Sequence, residues 1–301
     1  MTAPVVLLVN PAAGRGRAIR VARAAHDALR AAGLRVELRE THARGDEARI
    51  ACDASAAGAR ALAVVGGDGA ISHAVRGLLV SEARGGARVP LAIFAAGTGN
   101  DFAKSLAIPA HDVSRMAAHI AAGATHEVDV GFVNDVPFVN AAGFGFDVEV
   151  LERMRTPGRW RGTAAYVSTA LGALFGYRGF RARATGDGHA PEVMSQHLMA
   201  VFANGRCFGG AFRIAPHAQL DDGVLDCVTI RHVAPLARVP LFANAMRGAH
   251  LSSPHVSFRR DHTFHVQFDA PPLFETDGEL QQAGSCDVVV RTSPRALTVI
   301  A

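Results

Sequence analysis

Three glycine-rich segments and one distant acidic pair supply the residue types from which a phosphate-handling site can be built. Gly66-Gly67-Asp68-Gly69 sets one aspartate among three glycines. Backbone without side chains can approach a phosphate chain closely, with helix-start amides pointing at the anion. Asp68 beside phosphate calls for a metal or a hydroxyl between them, and an ordinary turn of a sheet protein would read the same way. In Gly97-Thr98-Gly99-Asn100-Asp101-Phe102, Thr98 and Asn100 offer hydrogen bonds to phosphate or ribose, and Asp101 offers an oxygen to Mg2+. The alternative there is a helix from Phe102 capped by Asn100 and Asp101. Asn10-Pro11-Ala12-Ala13-Gly14-Arg15-Gly16-Arg17 adds a side-chain amide and two guanidinium groups. The same arginines would suit a solvated helix start, and Thr41 adds a hydroxyl.

Phosphoryl transfer to an alcohol needs charge neutralisation, alignment and a base for the hydroxyl proton. Thr276-Asp277-Gly278-Glu279 offers that base. Its two carboxylates at i and i+2 fall on one side of an extended segment, and the glycine between them lets a substrate come close. Asp277 would take the proton, while Glu279 would hold Mg2+ or orient Asp277. An Asp-Gly hairpin turn is the plain alternative. The oxygen-rich run from His217 to Asp226, containing Gln219, Asp222 and Val224, suits either a hard cation or a simple turn. The 14 histidines follow no metal-ligand spacing, and no Ser-His-Asp arrangement emerges.

These loops need a frame. Val5–Val9, Leu34–Arg39, Ala61–Val65 and Leu91–Ala96 read as strands, alternating with helical patterns over Arg15–Ala32, Asp46–Ala59 and Ala70–Leu79. In the first helix Ile19, Ala22, His26 and Leu29 form the stripe, and Gly33 stops it. The order predicts a mostly parallel sheet with ligands beyond the carboxyl ends of its strands. From about Val128 the texture changes to short alternating runs, including Val136–Ala142, His197–Ala203, Val224–Ile230 and Thr263–Phe268, which predicts an antiparallel second domain. Arg153–Arg183 interrupts it, and Ala296–Ala301 suits either domain.

A chain of 301 residues accommodates two domains with their own cores. Four scattered cysteines without a C-x-x-C pair suggest neither a zinc site nor a disulfide framework, and they point to a reducing cytoplasm. The run Val5–Val9 is too short for a secretion signal, and its arginines follow it. Gly162–Tyr177 is uncharged, but it falls short of the roughly 20 apolar residues of a membrane span and reads as a buried or interfacial helix. The net charge of +4 is almost wholly arginine, with Lys104 the one lysine. Such a surface favours anionic membranes or nucleic acid without choosing between them.

Taken in order, Asn10-Pro11 with Gly14, Gly66 to Gly69, Gly97 to Phe102, Asp222-Gly223-Val224-Leu225-Asp226 and Asp277-Gly278-Glu279 resemble the diacylglycerol kinase catalytic family, particularly its bacterial soluble lipid kinases, relatives of the sphingosine kinases. The resemblance spans nearly the whole chain. It implies an α/β fold, with an N-terminal Rossmann-like layered nucleotide-binding domain and a C-terminal antiparallel β-sandwich. Residues 1–128, with a returning strand at about 293–301, would bind ATP, and residues 129–292 would take the lipid. ATP would sit in the interdomain cleft against Asn10, Thr41, Gly66 to Gly69 and Gly97 to Asn100. Asp277 resembles the family's base, and Glu279, Asp68 and Asp101 would join the Mg2+ and phosphate network. A structural Mg2+ maps to Asp222, the Val224 carbonyl and Gln219. The chain departs from the family after Gly69, with Ala70, Ser72 and His73 in place of the usual Thr and Asn-Glu.

The resemblance implies a lipid substrate at the inner face of an anionic membrane, and no nucleic acid. Arginines 153, 155, 159 and 161 around Trp160, and Arg178, Arg181 and Arg183 after Tyr177, mix charge and aromatics as an interface requires, or form ordinary surface. Phe144, Phe146 and Phe175 would line an acyl cleft or belong to the core. The rival readings are a soluble-substrate kinase of the NAD kinase type and a nucleotide- or lipid-binding module without turnover.

Overall fold

Val5–Val9 (β1), Ala61–Gly66 (β3) and Leu91–Ala95 (β4) are buried at every position, the pattern of parallel strands covered on both faces. The computed structural model describes residues 3–43, 45–108, 112–155, 172–187 and 193–301. The chain forms two units, Met1–Val130 with Pro294–Ala301, and Gly131–Ser293.

In the first unit β3 lies between β1 and β4, all parallel, and Val36–Glu40 (β2) closes the β1 edge. The charged alternation of β2, half-buried to exposed, suits an edge strand. The far end of Asp287–Ile300 (β15) pairs with β4 through Val299–Leu91 and Ile300–Ala92. Helices Arg17–Ala31 (α1), Asp46–Ala56 (α2) and Asp68–Ala83 (α3) follow the strands, then Asp101–Ser105 (α4) and Val113–Ala122 (α5). The α1 stripe differs from the predicted one. It buries Ala18, Ala22, Ala25 and Leu29, whereas Ile19 is 43% exposed. Small alanines let α1 lie close to its neighbours, so the bulkier isoleucine was a poor guide to the buried face. Gly33 ends this helix with φ +77°, as the sequence implied.

The second unit is antiparallel throughout its main path. Glu279–Gln282 (β14), Leu273–Thr276 (β13), Ala141–Gly145 (β7), Ser195–Ala203 (β9), Phe180–Gly186 (β8), Thr263–Phe268 (β12) and the start of β15 follow one another across it. Leu225–Arg231 (β10) joins β9 to Val256–Asp261 (β11). Val136–Phe138 (β6) hairpins with the end of Thr125–Val133 (β5). One core gathers Phe144, Phe202, Phe264 and Phe274, and another packs Leu198, Val201 and Val228 with Phe146 from Phe146–Arg155 (α6) and Leu241 from Pro235–Arg247 (α7). The fold is therefore an N-terminal layered α/β unit followed by an antiparallel β-sandwich. Among the described residues no helix is long and apolar enough to cross a membrane.

Candidate active site

The carboxyl ends of β1, β3 and β4 bring the three glycine segments into contact. A Cβ added at Gly14, whose φ is +59°, would meet the Ala96 carbonyl oxygen at 2.1 Å, and one at Gly97 would lie 2.4 Å from the Gly67 Cα. Only backbone fits at either crossing. Arg17 donates from its guanidinium to the Gly97 carbonyl. The Asn100 amide also donates to that carbonyl, at 3.1 Å. Among the described residues, buried Asn100 Oδ1 and Arg17 Nε have no hydrogen-bond partner. Asn100 adopts φ +53°, a left-handed conformation that asparagine tolerates better than most residues.

The other predicted nucleotide contacts fall around these crossings. Gly66 accepts the Ala96 and Gly97 amides, at 2.8 and 3.2 Å. Gly67 precedes α3, whose first turn begins at Asp68 and Gly69 without a side-chain cap. The sequence placed that start at Ala70, two residues late, because glycine and aspartate read as loop. The first amides of α3 are thus helix-start donors suited to an anion. Pro11 follows Asn10 into the loop, Thr98 is exposed and Gly99 half-buried. The Thr41 amide donates to Val9 at 2.9 Å, placing that residue beside the end of β1.

The Asn10 side chain is already engaged. It donates to Glu47 at 3.0 Å and accepts from the Ala12 amide at 3.1 Å, which fixes the loop instead of leaving the amide open. Glu47, buried in the first turn of α2, was not singled out from sequence. Its only signal was an acid at a position facing inward. The Arg15 side chain lies outside the described residues.

Asp68 and Asp101 form an acidic pair. Burial first, and the neighbouring Asp101 charge second, push the Asp68 carboxyl above its usual range. Amides of Phe102, Asp101 and Asn100 partly offset this, with Phe102 donating at 3.3 Å. Asp101 is 7% exposed and pairs with Lys104 at 3.3 Å. Two neighbouring carboxylates, Asp68 and Asp101, are a donor set that fits Mg2+ once phosphate oxygens complete the shell. Of the family departures, Ala70 brings no hydroxyl to the loop, Ser72 is buried with an Oγ that has no partner among the described residues, and His73 is half-buried.

Asp277 is not in an extended segment. Asp277 and Gly278, at φ +50° and +86°, form the two-residue turn between β13 and β14, with Thr276 facing Glu279 across it. The Asp-Gly pair takes the left-handed turn that favours these residue types, so the i, i+2 argument fails. Glu279 is the first residue of β14, half-buried. The Asp277 carboxylate accepts the amides of Val139 at 2.9 Å, Asn140 at 2.9 Å and Ala141 at 3.2 Å. These three bonds fix its direction.

The turn before β10 gathers cationic partners of its own. Asp222 accepts the Val224 amide at 3.2 Å and pairs with Arg260, whose Nε donates to the buried Asp226 at 2.8 Å. Gln219 is exposed. With a guanidinium against both aspartates, the Gln219, Asp222 and Val224 set does not fit a dication. Arg260, 38 positions away from Asp222, carries no sequence signal linking it to this turn. Among the described residues no cluster of three His, Cys, Asp or Glu could hold a metal.

A cavity of about 360 Å3 opens in the second unit. Phe144, Val148, Tyr177, Phe180, Phe268 and Leu273 give it apolar walls, with Glu149, Glu152, Arg181 and Asp269 also lining it. The predicted Phe144, Phe146 and Phe175 do not share one cleft. Phe146 packs against Tyr177 and Phe242, and Phe175 is 49% exposed. Of the basic-aromatic segment, Trp160, Arg159, Arg161 and the Arg155 side chain lie outside the described residues, as does most of the uncharged run 162–177 expected to be helical. Arg153 pairs with Glu149, and Arg181 with Asp269.

Residues 4–133 match the family described as diacylglycerol kinase catalytic domain, and residues 140–301 the one described as YegS C-terminal NAD kinase beta sandwich-like domain. A protein named diacylglycerol kinase from Mycobacterium tuberculosis (strain ATCC 25618 / H37Rv) is 32% identical over 304 residues, covering 98% of this chain and 94% of its own. Another of that name, from Bacillus subtilis (strain 168), is 26% identical over 252 residues, covering 82% and 80%. A crystal structure from Bacillus anthracis str. Sterne shares the fold, with TM-score 0.78 at 23% identity over 99% of this chain and 97% of that one. Both halves of the sequence and the ordered loops agree, and this chain belongs to the diacylglycerol kinase family of phosphotransferases.

Proposed function

We propose that the protein transfers the γ-phosphoryl group of ATP to the hydroxyl of a diacylglycerol-like lipid, with Mg2+ as the companion ion. The observation that carries this reading is the closure of the three glycine segments on one another, with buried Asn100 Oδ1 and Arg17 Nε left without partners among the described residues. Residues 1–130 are the nucleotide half, with Asn10, Pro11, Gly14 and Thr41 framing it. Gly66, Gly67, Gly69, Gly97, Thr98 and Gly99 allow phosphate to approach backbone amides. Asp68 and Asp101 would hold Mg2+, which when bound supplies positive charge against the phosphates.

Residues 131–293 are the acceptor half. Asp277 takes the acceptor hydroxyl proton from a direction fixed by three backbone amides, and Glu279 borders the turn that carries it. Support for a lipid comes from the names of the relatives and from the apolar cavity, whose mixed polar and apolar lining suits an amphipathic molecule. A net charge of +4 supports work at the inner, anionic face of a membrane.

The test is to incubate the protein with labelled ATP, Mg2+ and a total lipid extract. A labelled lipid product that requires Mg2+ is expected. Label appearing only in a water-soluble acceptor would favour the NAD kinase type, and nucleotide binding without transfer would leave a binding module.

A further inference from the structure

Asp147, the second residue of α6, is 8% exposed, and among the described residues neither of its carboxylate oxygens has a hydrogen bond of good geometry. A Cβ added at Gly143 on β7 would lie 1.8 Å from Asp147 Oδ2 and 2.9 Å from Glu275 Oε1. Two oxygens that close to a single point are within about 5 Å of each other, the range in which buried like charges oppose joint ionisation. Gly143 is what makes room for them. Glu275, on β13, is 1% exposed, and its Oε2 accepts the Gly278 amide at 2.6 Å. One carboxylate therefore reaches from Asp147 to the turn that contains Asp277.

Among the described residues, the elements around Asp147 bring more acidic groups than basic ones. On α6 itself stand Glu149 and Glu152, with Arg153 committed to Glu149 at 2.6 Å. From β13 comes Glu275 and from β14 Glu279. On β9, His197 turns its Nε2 to Ser195 and to the Ala182 carbonyl, and β7 brings no titratable group. The Tyr177 hydroxyl is held neutral, pushed up by burial and then by the charges of Asp147, Glu149 and Glu152. Burial likewise raises the Asp147 carboxyl to about 7, offset only in part by the amides of Asp147 and Val148.

We propose that Asp147 and Glu275 share one proton, as a carboxylic acid facing a carboxylate, and that this pair positions the turn bearing Asp277. Asp147 is the protonated partner, directed at Glu275 Oε1, while Oε2 keeps the Gly278 amide. It is a positioning residue, acting through Glu275. Loss of its proton sets two negative charges against each other beneath the turn. This inference rests on the reading of Asp277 as the base, so its test separates the two.

The first measurement needs no activity. A carboxyl raised from 3.8 to about 7 in the folded state binds more protons folded than unfolded between those values. Stability is therefore lost as pH rises through that window and levels off above it. The wild-type melting temperature should fall by several degrees between about pH 5 and 8 relative to Asp147→Asn, whose amide keeps a donor without a titrating proton. Equal slopes in the two proteins would overturn the proposal. Second, Asp147→Ala should lose turnover about tenfold or more through misplacement of the turn, with Asn at 147 restoring most of it. An Asn variant as slow as the Ala variant would show that an ionised carboxylate is needed, which also overturns the pair. Asp277→Asn should keep the wild-type pH dependence of melting whatever its turnover. If it instead stays active, the base assignment fails while the shared proton stands.

Discussion

Gly67 and Gly97 meet backbone to backbone, so that a Cβ on Gly97 would lie 2.4 Å from the Gly67 Cα. The neighbour is main chain and cannot swing aside. Gly97→Ala should cost about 1–3 kcal/mol, as overpacking does, and should abolish nucleotide binding by separating the loops after β3 and β4. Calorimetric melting and titration with ATP check both outcomes. A Gly16→Ala control, where an added Cβ meets nothing within 4 Å, removes a flexible residue at φ +85° without that collision.

Asp277→Asn removes one acceptor oxygen while the amides of Val139, Asn140 and Ala141 still point at the site. Turnover should fall by about 10²- to 10⁴-fold, the range of a lost general base. Nucleotide affinity should stay nearly unchanged. Melting should show a loss of about 1–3 kcal/mol from the unsatisfied amides, so stability and single-turnover measurements must be compared in the same preparation.

Asp101 acts on Asp68 through charge. Asp101→Asn removes the like charge that helps raise the Asp68 carboxyl, so Asp68 should ionise at lower pH. With one carboxylate fewer for the cation, the Mg2+ concentration giving half-maximal turnover should rise about tenfold. A titration with Mg2+ at fixed ATP reads this directly, and an unchanged Mg2+ requirement would remove Asp101 from the network.

The apolar cavity gives a separate handle on the acceptor. Leu273→Trp should fill part of the space beside Phe144 and Phe268. KM for a long-chain acceptor should rise about tenfold or more, the scale of a mismatched apolar pocket, while affinity for ATP does not change. A parallel rise for a short-chain alcohol would show that the cavity does not hold the chain.

Asp46 ties down the segment after Thr41. Its carboxylate accepts the amides of His42 at 2.9 Å and Ala43 at 3.0 Å, and Arg49 binds its other oxygen. The His42 amide foremost, then Arg49 and the Ala43 amide, lower its pKa from 3.8 to about 2. The stabilisation is thus present above 3.8 and lost as pH falls through about 2. Asp46→Asn should flatten that part of the acid unfolding curve, followed by circular dichroism.

The parallel strands were legible because burial on both faces leaves continuous apolar runs such as Val5–Val9 and Ala61–Val65. Thr263–Phe268 was legible through strict alternation. Helix α7 was not, since Pro235 and Pro240 read as breaks although Pro235 opens the helix and Pro240 is accommodated within it. Edge strands β11 and β14, short and polar, resembled loops. At the candidate site, glycine spacing marked the segments whose backbones meet. The partners Glu47, Glu275 and Arg260 were hidden, because each acts on a residue brought near by the sheet and not by sequence. Glu275 had the best claim to notice, two positions before Asp277.

Strand β15 supplies the first unit with Val299 and Ile300 beside Leu91 and Ala92, and Arg88 bonds the Arg295 carbonyl 207 positions away. Such pairing raises contact order, which slows folding. The nucleotide-binding unit can therefore only finish after the whole β-sandwich sequence has been synthesised, and until then the outer side of β4 is an unpaired template for another chain. A fragment ending near residue 130 should accordingly aggregate instead of serving as an independent nucleotide binder.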